Sequence, residues 1–369
     1  MQKHLREEAG VKFNRILFVN LDRIGDVIRS TFLFRILKKQ YPYSFLTCLT
    51  LAPVDELLRN DPHIDTVMVL PHKEIRDLIK SKKTMLHMCL PVFQLLNSLK
   101  LQQFDLVINP FSEFGAMAVR YIKPKYILGR ALNTKGKFLV HGRETAKFLY
   151  IMSNQKGLRS KFQYNFAAIY SRILKDINIK VKADDLYPKV YLGPHDERFA
   201  QNFLQEHTIT DNDIKIGLQV GAFSNNKRWP IENFRTLAQK LQNGFNAQII
   251  ITGSSHEART IVMDMVTGME KKPIIAAGRT NMREAAAIIS QCDLFISNDT
   301  GPMHIAATLG IPVIALFNTR QSIPEESRPW GRGHIVIAKE NIEDIHVEEV
   351  FAAVKRQIQS LHVSSLCVK

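Results

Sequence analysis

The chain has 369 residues, 45% of them apolar and 23% charged; this is an ordinary globular composition, too long for one core and suited to two domains. No apolar run approaches the ~18 residues of a membrane-spanning helix, the opening MQKHLREEAG lacks the apolar segment of a secretory signal, and the scattered Cys48, Cys89, Cys292 and Cys367 show no zinc-site spacing, which together point to a reducing, cytoplasmic setting. The net charge of +15 is held by one half: residues 1–200 carry 33 Lys/Arg against 18 Asp/Glu, and residues 201–369 carry 17 of each.

Strand-like and helix-like stretches alternate along the chain. Arg15–Asn20 (RILFVN) reads as a strand, followed by one amphipathic helix from about Asp26 to Gln40, closed by Tyr41-Pro42. Ser44–Leu51, Thr66–Leu70 and Leu106–Asn109 are further strands. Residues 115–165 then hold eleven Lys/Arg and one acid, Glu144, interleaved with Tyr121, Tyr126, Phe138, Phe148, Tyr150, Phe162 and Tyr164. This tract reads either as a solvated, basic helical surface or as a face for an acidic partner, an anionic membrane surface or a phosphorylated substrate. No recognition-helix, zinc-finger or RNP pattern accompanies it, so nucleic acid is not an expected partner.

The pattern restarts at Ile214. Lys215–Val220, Ala247–Thr252, Pro273–Ala277, Asp293–Ser297 and Pro312–Phe317 read as strands. They alternate with helices at Glu232–Asn243, Glu257–Thr267, Arg283–Gln291 and a stretch ending at Leu309, and a terminal helix covers Glu343–Leu361. Strand–helix alternation of this kind predicts two doubly wound α/β units, each a parallel sheet covered on both faces. The boundary is expected between Leu192 and Asp213, where His, Asp, Glu and Asn cluster. The domain plan is an acceptor-side domain over 1–205, a nucleotide-sugar domain over 206–342, and a terminal helix and tail over 343–369 that packs back on the first domain.

Ligands of open parallel sheets bind beyond the carboxyl ends of the strands, and the chemistry-bearing residues follow strands here. Asp299-Thr300-Gly301 lies between a strand and a helix. The unpaired N–H groups of a first helical turn bind phosphate, Gly301 allows close approach, Pro302 suits the first helical position, and Asp299 accepts from sugar hydroxyls or simply caps the helix. His304 donates to a phosphate oxygen or is a satisfied helix residue. Lys227 and Arg228, in the loop Gly221–Pro230, neutralise a diphosphate or are solvated loop cations, with Trp229 as a core anchor. Glu257, after Thr252-Gly253-Ser254-Ser255, binds ribose hydroxyls or is a first-turn helix acid. Asp26, in Asp22-Arg23-Ile24-Gly25-Asp26, is placed to take a proton from an attacking hydroxyl or to cap a helix. No G-x-G-x-x-G follows the first strand, which argues against a dinucleotide-dependent dehydrogenase. Asp211-Asn212-Asp213 has the spacing of a divalent-cation motif but precedes a strand, so it reads as a solvated turn; no metal and no cofactor are expected.

Four stretches carry a resemblance: ILFVNLDRIGDVIRSTFLFRILKKQYP, GAFSNNKRWPIENFRTLAQKL, IIITGSSHE and CDLFISNDTGPMHIAATLGIPVIALF. In this order they resemble the bacterial lipopolysaccharide heptosyltransferases, glycosyltransferase family 9. The resemblance implies a GT-B fold, two Rossmann-like domains facing across a cleft, and an inverting, metal-independent transfer of heptose from ADP-heptose to an inner-core acceptor, the enzyme lying peripherally on the inner membrane. It implies Asp26 as general base, Lys227 on the donor phosphates, Glu257 on the ribose, and Asp299, Thr300 and Gly301 on sugar and diphosphate, with His304 nearby. The sequence departs from the family pattern at Asn20, where Lys or Arg is common, and at Phe223-Ser224, which leaves Ser224 to serve the donor alone. It departs again at Asn318-Thr319-Arg320 in place of Gly-Pro-Thr, and at Phe162–Tyr170, which lacks a His. Two other readings stay open: the same scaffold with another nucleotide sugar or a protein acceptor, and a two-domain binding protein without chemistry.

Overall fold

The structure is a computed structural model that describes residues 12–71, 85–110, 112–133, 135, 137–146 and 166–366. The chain divides between Tyr191 and Leu192 into two units. Each is a six-stranded, mostly parallel α/β unit.

Unit 1 holds β1 (Arg15–Val19), β2 (Phe45–Leu51), β3 (Thr66–Leu70), β4 (Leu106–Asn109), β5 (Tyr126–Leu132) and β6 (Phe138–His141), in the order β3-β2-β1-β4-β5-β6. Among these described strands, β6 alone runs antiparallel, on β5. The inner strands are apolar on both faces because helices cover both, and β1 buries Ile16, Leu17, Phe18 and Val19. The single helix expected over 26–40 is two helices, α1 (Ile24–Arg29) and α2 (Phe32–Gln40). The hydroxyls of Ser30 and Thr31 donate to the carbonyls of Val27 and Ile28, at 2.7 and 2.9 Å, and compete with the helical ladder at the break. The helices α3 (Met85–Leu101), α4 (Glu113–Ile122) and α5 (Phe166–Lys175) are the longer of the unit's other described helices.

The basic tract is a surface of mixed structure. Its described part runs from α4 into the β5–β6 hairpin, whereas residues 147–165, with Phe148, Tyr150, Phe162 and Tyr164, lie outside the described residues.

Unit 2 opens with α6 (Pro194–Glu206). That helix lies within the stretch expected to contain the boundary. It belongs to unit 2 because Asp196 pairs through both carboxylate oxygens with Arg283 of α8 (Met282–Ile289), against which α6 packs. The strands are β7 (Lys215–Gln219), β8 (Gln248–Thr252), β9 (Ile274–Ile275), β10 (Leu294–Asn298), β11 (Val313–Asn318) and β12 (Ile335–Lys339), all parallel, in the order β12-β11-β10-β7-β8-β9. Helices α7 (Ile231–Phe245), α9 (Gly301–Thr308) and α10 (Val347–Leu366) flank them. The described part of α10 packs on α7 and on β10 and β11 of its own unit. A continuous core runs from Ile216, Leu218 and Trp229 through Ile249, Ile251 and Ile296 to Val350 and Val354. Among the described residues, no helix is long and apolar enough to cross a membrane.

Candidate active site

In unit 2, four neighbouring strands deliver polar groups beyond their carboxyl ends. Asn298, the last residue of β10, is fully buried and acts as a brace. Its amide nitrogen lies 3.1 Å from the carbonyls of Val220 and Gly221, just past β7, and its oxygen accepts from the Trp229 amide at 3.0 Å. Trp229 is itself buried, donates its indole N–H to Ile345 O at 2.8 Å and meets Phe234 edge-on. The loop after β7 is thus pinned on both sides of its short turn Asn225–Lys227. That pinning places Lys227 Nζ 2.6 Å from Asp299 Oδ2, with both side chains largely buried.

Asp299 does not cap α9. Thr300 occupies the N-cap position with extended backbone and makes no side-chain capping bond; its hydroxyl lies 3.1 Å from Ser297 Oγ. Gly301 and Pro302 open the helix, so its first N–H groups have no intrahelical acceptor. His304 sits in the following turn, 5% exposed. Ser224 precedes the turn carrying Lys227, and its carbonyl accepts from the Lys227 amide at 3.1 Å. Phe223 beside it is exposed.

Glu257 stands at the start of the helical segment after β8, in a capping box: its carboxylate accepts from Ser254 N at 2.7 Å, and Ser254 Oγ accepts from its amide. The other carboxylate oxygen lies 3.4 Å from Gln219 Nε2, and Gln219 in turn accepts from Thr252 Oγ1 at 3.0 Å. A Cβ added at Gly221 would fall 1.6 Å from Glu257 Oε1, so glycine is required for this approach.

Two further residues join this site, neither of them assigned to it from the sequence. Ser322, in the loop after β11, donates its hydroxyl to the same Asp299 Oδ2 that holds Lys227. Asn318, where the sequence leaves the Gly-Pro-Thr pattern, donates to Asn226 O at 2.7 Å and so ties the β11 exit to the Lys227 turn. The residues brought together in unit 2 are therefore Lys227, Asp299 and Thr300, with Gly301 following. Glu257 joins the group through Gln219 and the Gly221 backbone.

Unit 1 holds the remaining candidate. Asp26 lies in the first turn of α1 and pairs with Arg29 one turn on; Arg23 rather than Asp26 has the N-cap position. Asn20, fully enclosed at the end of β1, donates to Ser30 Oγ at 3.0 Å and accepts from Asp22 N at 3.3 Å, a role a Lys or Arg would not fill. Asp22 stands four residues before Asp26 in the same stretch. Burial, and then the charge of Asp26, push its carboxyl up to about 6 against the pull of Arg130 and Arg23. Tyr170, buried on α5, has its hydroxyl raised well above the usual range by burial and by both aspartates.

Asp213 is occupied locally, accepting from Thr210 N and Oγ1 at 2.8 and 2.7 Å. Among the described residues no group of three His, Cys, Asp or Glu side chains is arranged to hold a metal ion.

The chain is similar to known proteins over most of its length. The profile of "Glycosyltransferase family 9 (heptosyltransferase)" matches residues 92–352. Lipooligosaccharide heptosyltransferase 2 of Haemophilus ducreyi is 26% identical over 88% of both chains. Lipopolysaccharide heptosyltransferase 3 of Escherichia coli K12 is 24% identical, over 83% of this chain and 82% of that one. Among solved structures, a family 9 glycosyltransferase from Veillonella parvula superposes with a TM-score of 0.75 at 22% identity, covering 95% of this chain and 99% of that one. The E. coli heptosyltransferase WaaC with ADP gives 0.68 at 16% identity, covering 93% and 99%. These likenesses show the fold class expected above, GT-B with two Rossmann-like units. With the family profile spanning well over half of its residues, the chain belongs to glycosyltransferase family 9, the heptosyltransferases.

Proposed function

We propose that the chain moves heptose from ADP-heptose to an acidic, lipid-linked acceptor of the lipopolysaccharide inner core, with inversion and without a metal, at the cytoplasmic face of the inner membrane. The observation that carries this reading is the cation Lys227 held on Asp299 beside the open start of α9, in a chain of this family. ADP sits on unit 2: Glu257 takes the ribose hydroxyls, Lys227 and the N–H groups at Thr300-Gly301 take the diphosphate, and Ser224 and His304 donate to its oxygens. Asp299 accepts from the sugar.

Asp26, paired with Arg29 in unit 1, removes the proton of the acceptor hydroxyl. The oxygen attacks the anomeric carbon opposite the diphosphate, the bond from that carbon to the diphosphate breaks, and ADP leaves with its negative charge on Lys227 and the helix start.

Transfer from purified ADP-heptose to inner-core acceptors, followed by mass spectrometry, tests this. Asp26→Ala is expected to lower kcat by about 100-fold or more with ADP still bound; Lys227→Ala should lose both donor affinity and rate. Wild-type transfer by both variants would refute the assignment. The exposed Phe223 within the donor loop and the Asn318–Arg320 departure beside it favour running other nucleotide sugars beside ADP-heptose; a faster product from one of them would replace the donor and keep the chemistry.

A further inference from the structure

Among the large apolar side chains that unit 1 leaves in solvent, a group on α3, α4 and β6 lies beside exposed cations, whereas Tyr43, Phe45 and Tyr187 are exposed elsewhere in the unit. Leu90 and Phe93 on α3 are 55% and 51% exposed, Met117 on α4 is 52% exposed, and Phe138, Leu139 and Val140 of β6 are 53%, 44% and 38% exposed. Unit 2, by contrast, exposes only Phe223 and Met263 among its described large apolar residues.

Named contacts join these elements into one face. Phe93 and Tyr121 meet edge-on with ring centroids 6.4 Å apart, and Tyr121 donates to Asn97 of α3. Arg120, at the end of α4, donates to Asn133 O in the β5–β6 turn at 3.1 Å. That turn is shaped by Asn133 Oδ1, which accepts from the amides of Lys135 and Lys137, both at 2.9 Å. At the far end of the hairpin, Asp176 accepts from Glu144 N, Thr145 N and Thr145 Oγ1, so the strand is held firmly although its side chains project into solvent.

Among the described strands β6 is an edge, with apolar residues exposed on both of its faces, since successive side chains alternate. Soluble proteins usually blunt such edges with charge or cover them. The cations stand at the rim instead. Lys100, Arg120, Lys123, Lys135, Lys137 and Arg143 are exposed around the patch, against the acids Glu113 and Glu144. Apolar groups ringed by cations match a bilayer whose headgroups are anionic and whose acyl region begins just beneath them. A second copy of the chain fits less well, because pairing two such edges would bring the rim cations of both copies together.

We propose that α3, α4 and the β5–β6 hairpin form a docking surface for an anionic lipid bilayer, with Phe138, Leu139 and Val140 entering the interface and Lys135 and Lys137 contacting headgroups. Its purpose, bringing the enzyme to a lipid-linked acceptor, rests on the function proposed above. The binding itself is measured without donor or acceptor, so the two fail separately.

The test is flotation of the full-length protein with phosphatidylcholine vesicles and with vesicles containing phosphatidylglycerol. The wild type should float with the anionic vesicles alone and be released by salt. Lys135→Glu with Lys137→Glu, and separately Phe138→Ser with Val140→Ser, should each lower the bound fraction by about tenfold or more. Circular dichroism and ADP binding should stay at wild-type values, because these side chains are exposed and lie outside the donor site. Equal binding to both vesicle types, no flotation, or wild-type flotation by both double variants would overturn the proposal. So would a concentration-dependent dimer, seen by sedimentation, that the Phe138/Val140 pair abolishes.

Discussion

Asp299 Oδ2 receives both the Lys227 ammonium and the Ser322 hydroxyl. Two donors on one oxygen fix the plane of the carboxylate and leave its second oxygen to accept from a ligand. In the proposed reaction that acceptor meets the sugar, so Ser322 acts through Asp299 as a positioning residue. Ser322→Ala should raise the KM for the nucleotide sugar by about tenfold, the worth of one hydrogen bond to a charged group, while the affinity for ADP alone changes little. Ser322→Thr should restore most of it. Equal losses for ADP and ADP-sugar would mean that Ser322 holds the loop and not the carboxylate. Lys227 and Asp299 stand out in the sequence because both lie in dense clusters of special residues. Ser322 does not: it has no unusual neighbours and reaches Asp299 only because β11 lies beside β10.

Asp22 is legible in a different sense: the residue was visible in the sequence and its state was not. The folded protein holds its carboxyl near 6, above the value of a free aspartate, because of burial and the nearby Asp26. A raised carboxyl binds its proton more tightly folded than unfolded. The resulting stability is fully present below about 4 and is lost as the pH rises through about 6, a loss on the order of 3 kcal/mol for two units. Asp22→Asn, which keeps the backbone bond to Asn20, should therefore melt higher than the wild type at pH 7.5 and show less change between pH 4.5 and 7. Thermal melts across that range check it; parallel curves for the two proteins would show that Asp22 is not the group responsible.

Among the elements, β1 to β4 and β7 to β11 are readable because a parallel sheet buried on both faces leaves short continuous apolar runs, such as the III of QIIIT and the LFI of LFISN. The break between α1 and α2 was not, since it depends on which carbonyls the hydroxyls of Ser30 and Thr31 reach. The β5–β6 hairpin was hidden for a related reason. Its outer strand is an edge with no buried face, so the period-two pattern that marks a half-buried strand never forms. Other elements act at a distance in sequence. Asn298 ends β10 and holds the exit of β7, a junction of two strands that are 79 residues apart at Gln219. Asn298→Ala would leave buried carbonyls and the Trp229 amide unpaired, at a cost of about 3 kcal/mol. For a unit of this size that is roughly 6–12 °C in Tm, and Lys227 would lose its fixed place, so ADP binding should weaken too. Calorimetry and ADP titration of the variant measure both; a shift within about 2 °C would show that the brace contributes little.

At the scale of the molecule, each unit has its own apolar core and its own sheet, and the two carry different duties by charge: the first is strongly basic, the second nearly neutral. Separate cores allow separate unfolding transitions. A ligand held by one unit then raises one transition and leaves the other in place. ADP at about 100 times its Kd should add about 2.7 kcal/mol to the unit that binds it. Hydrogen exchange identifies that unit directly. Protection on adding ADP is expected in the segments after β7, β8, β10 and β11, around Lys227, Glu257, Thr300 and Ser322. The segment around Asp26 should change only when an acceptor analogue is also present. Protection by ADP alone centred on residues 20–30 would reverse the division of labour, placing the nucleotide on the basic unit and leaving Lys227 and Asp299 as an ion pair of purely structural use.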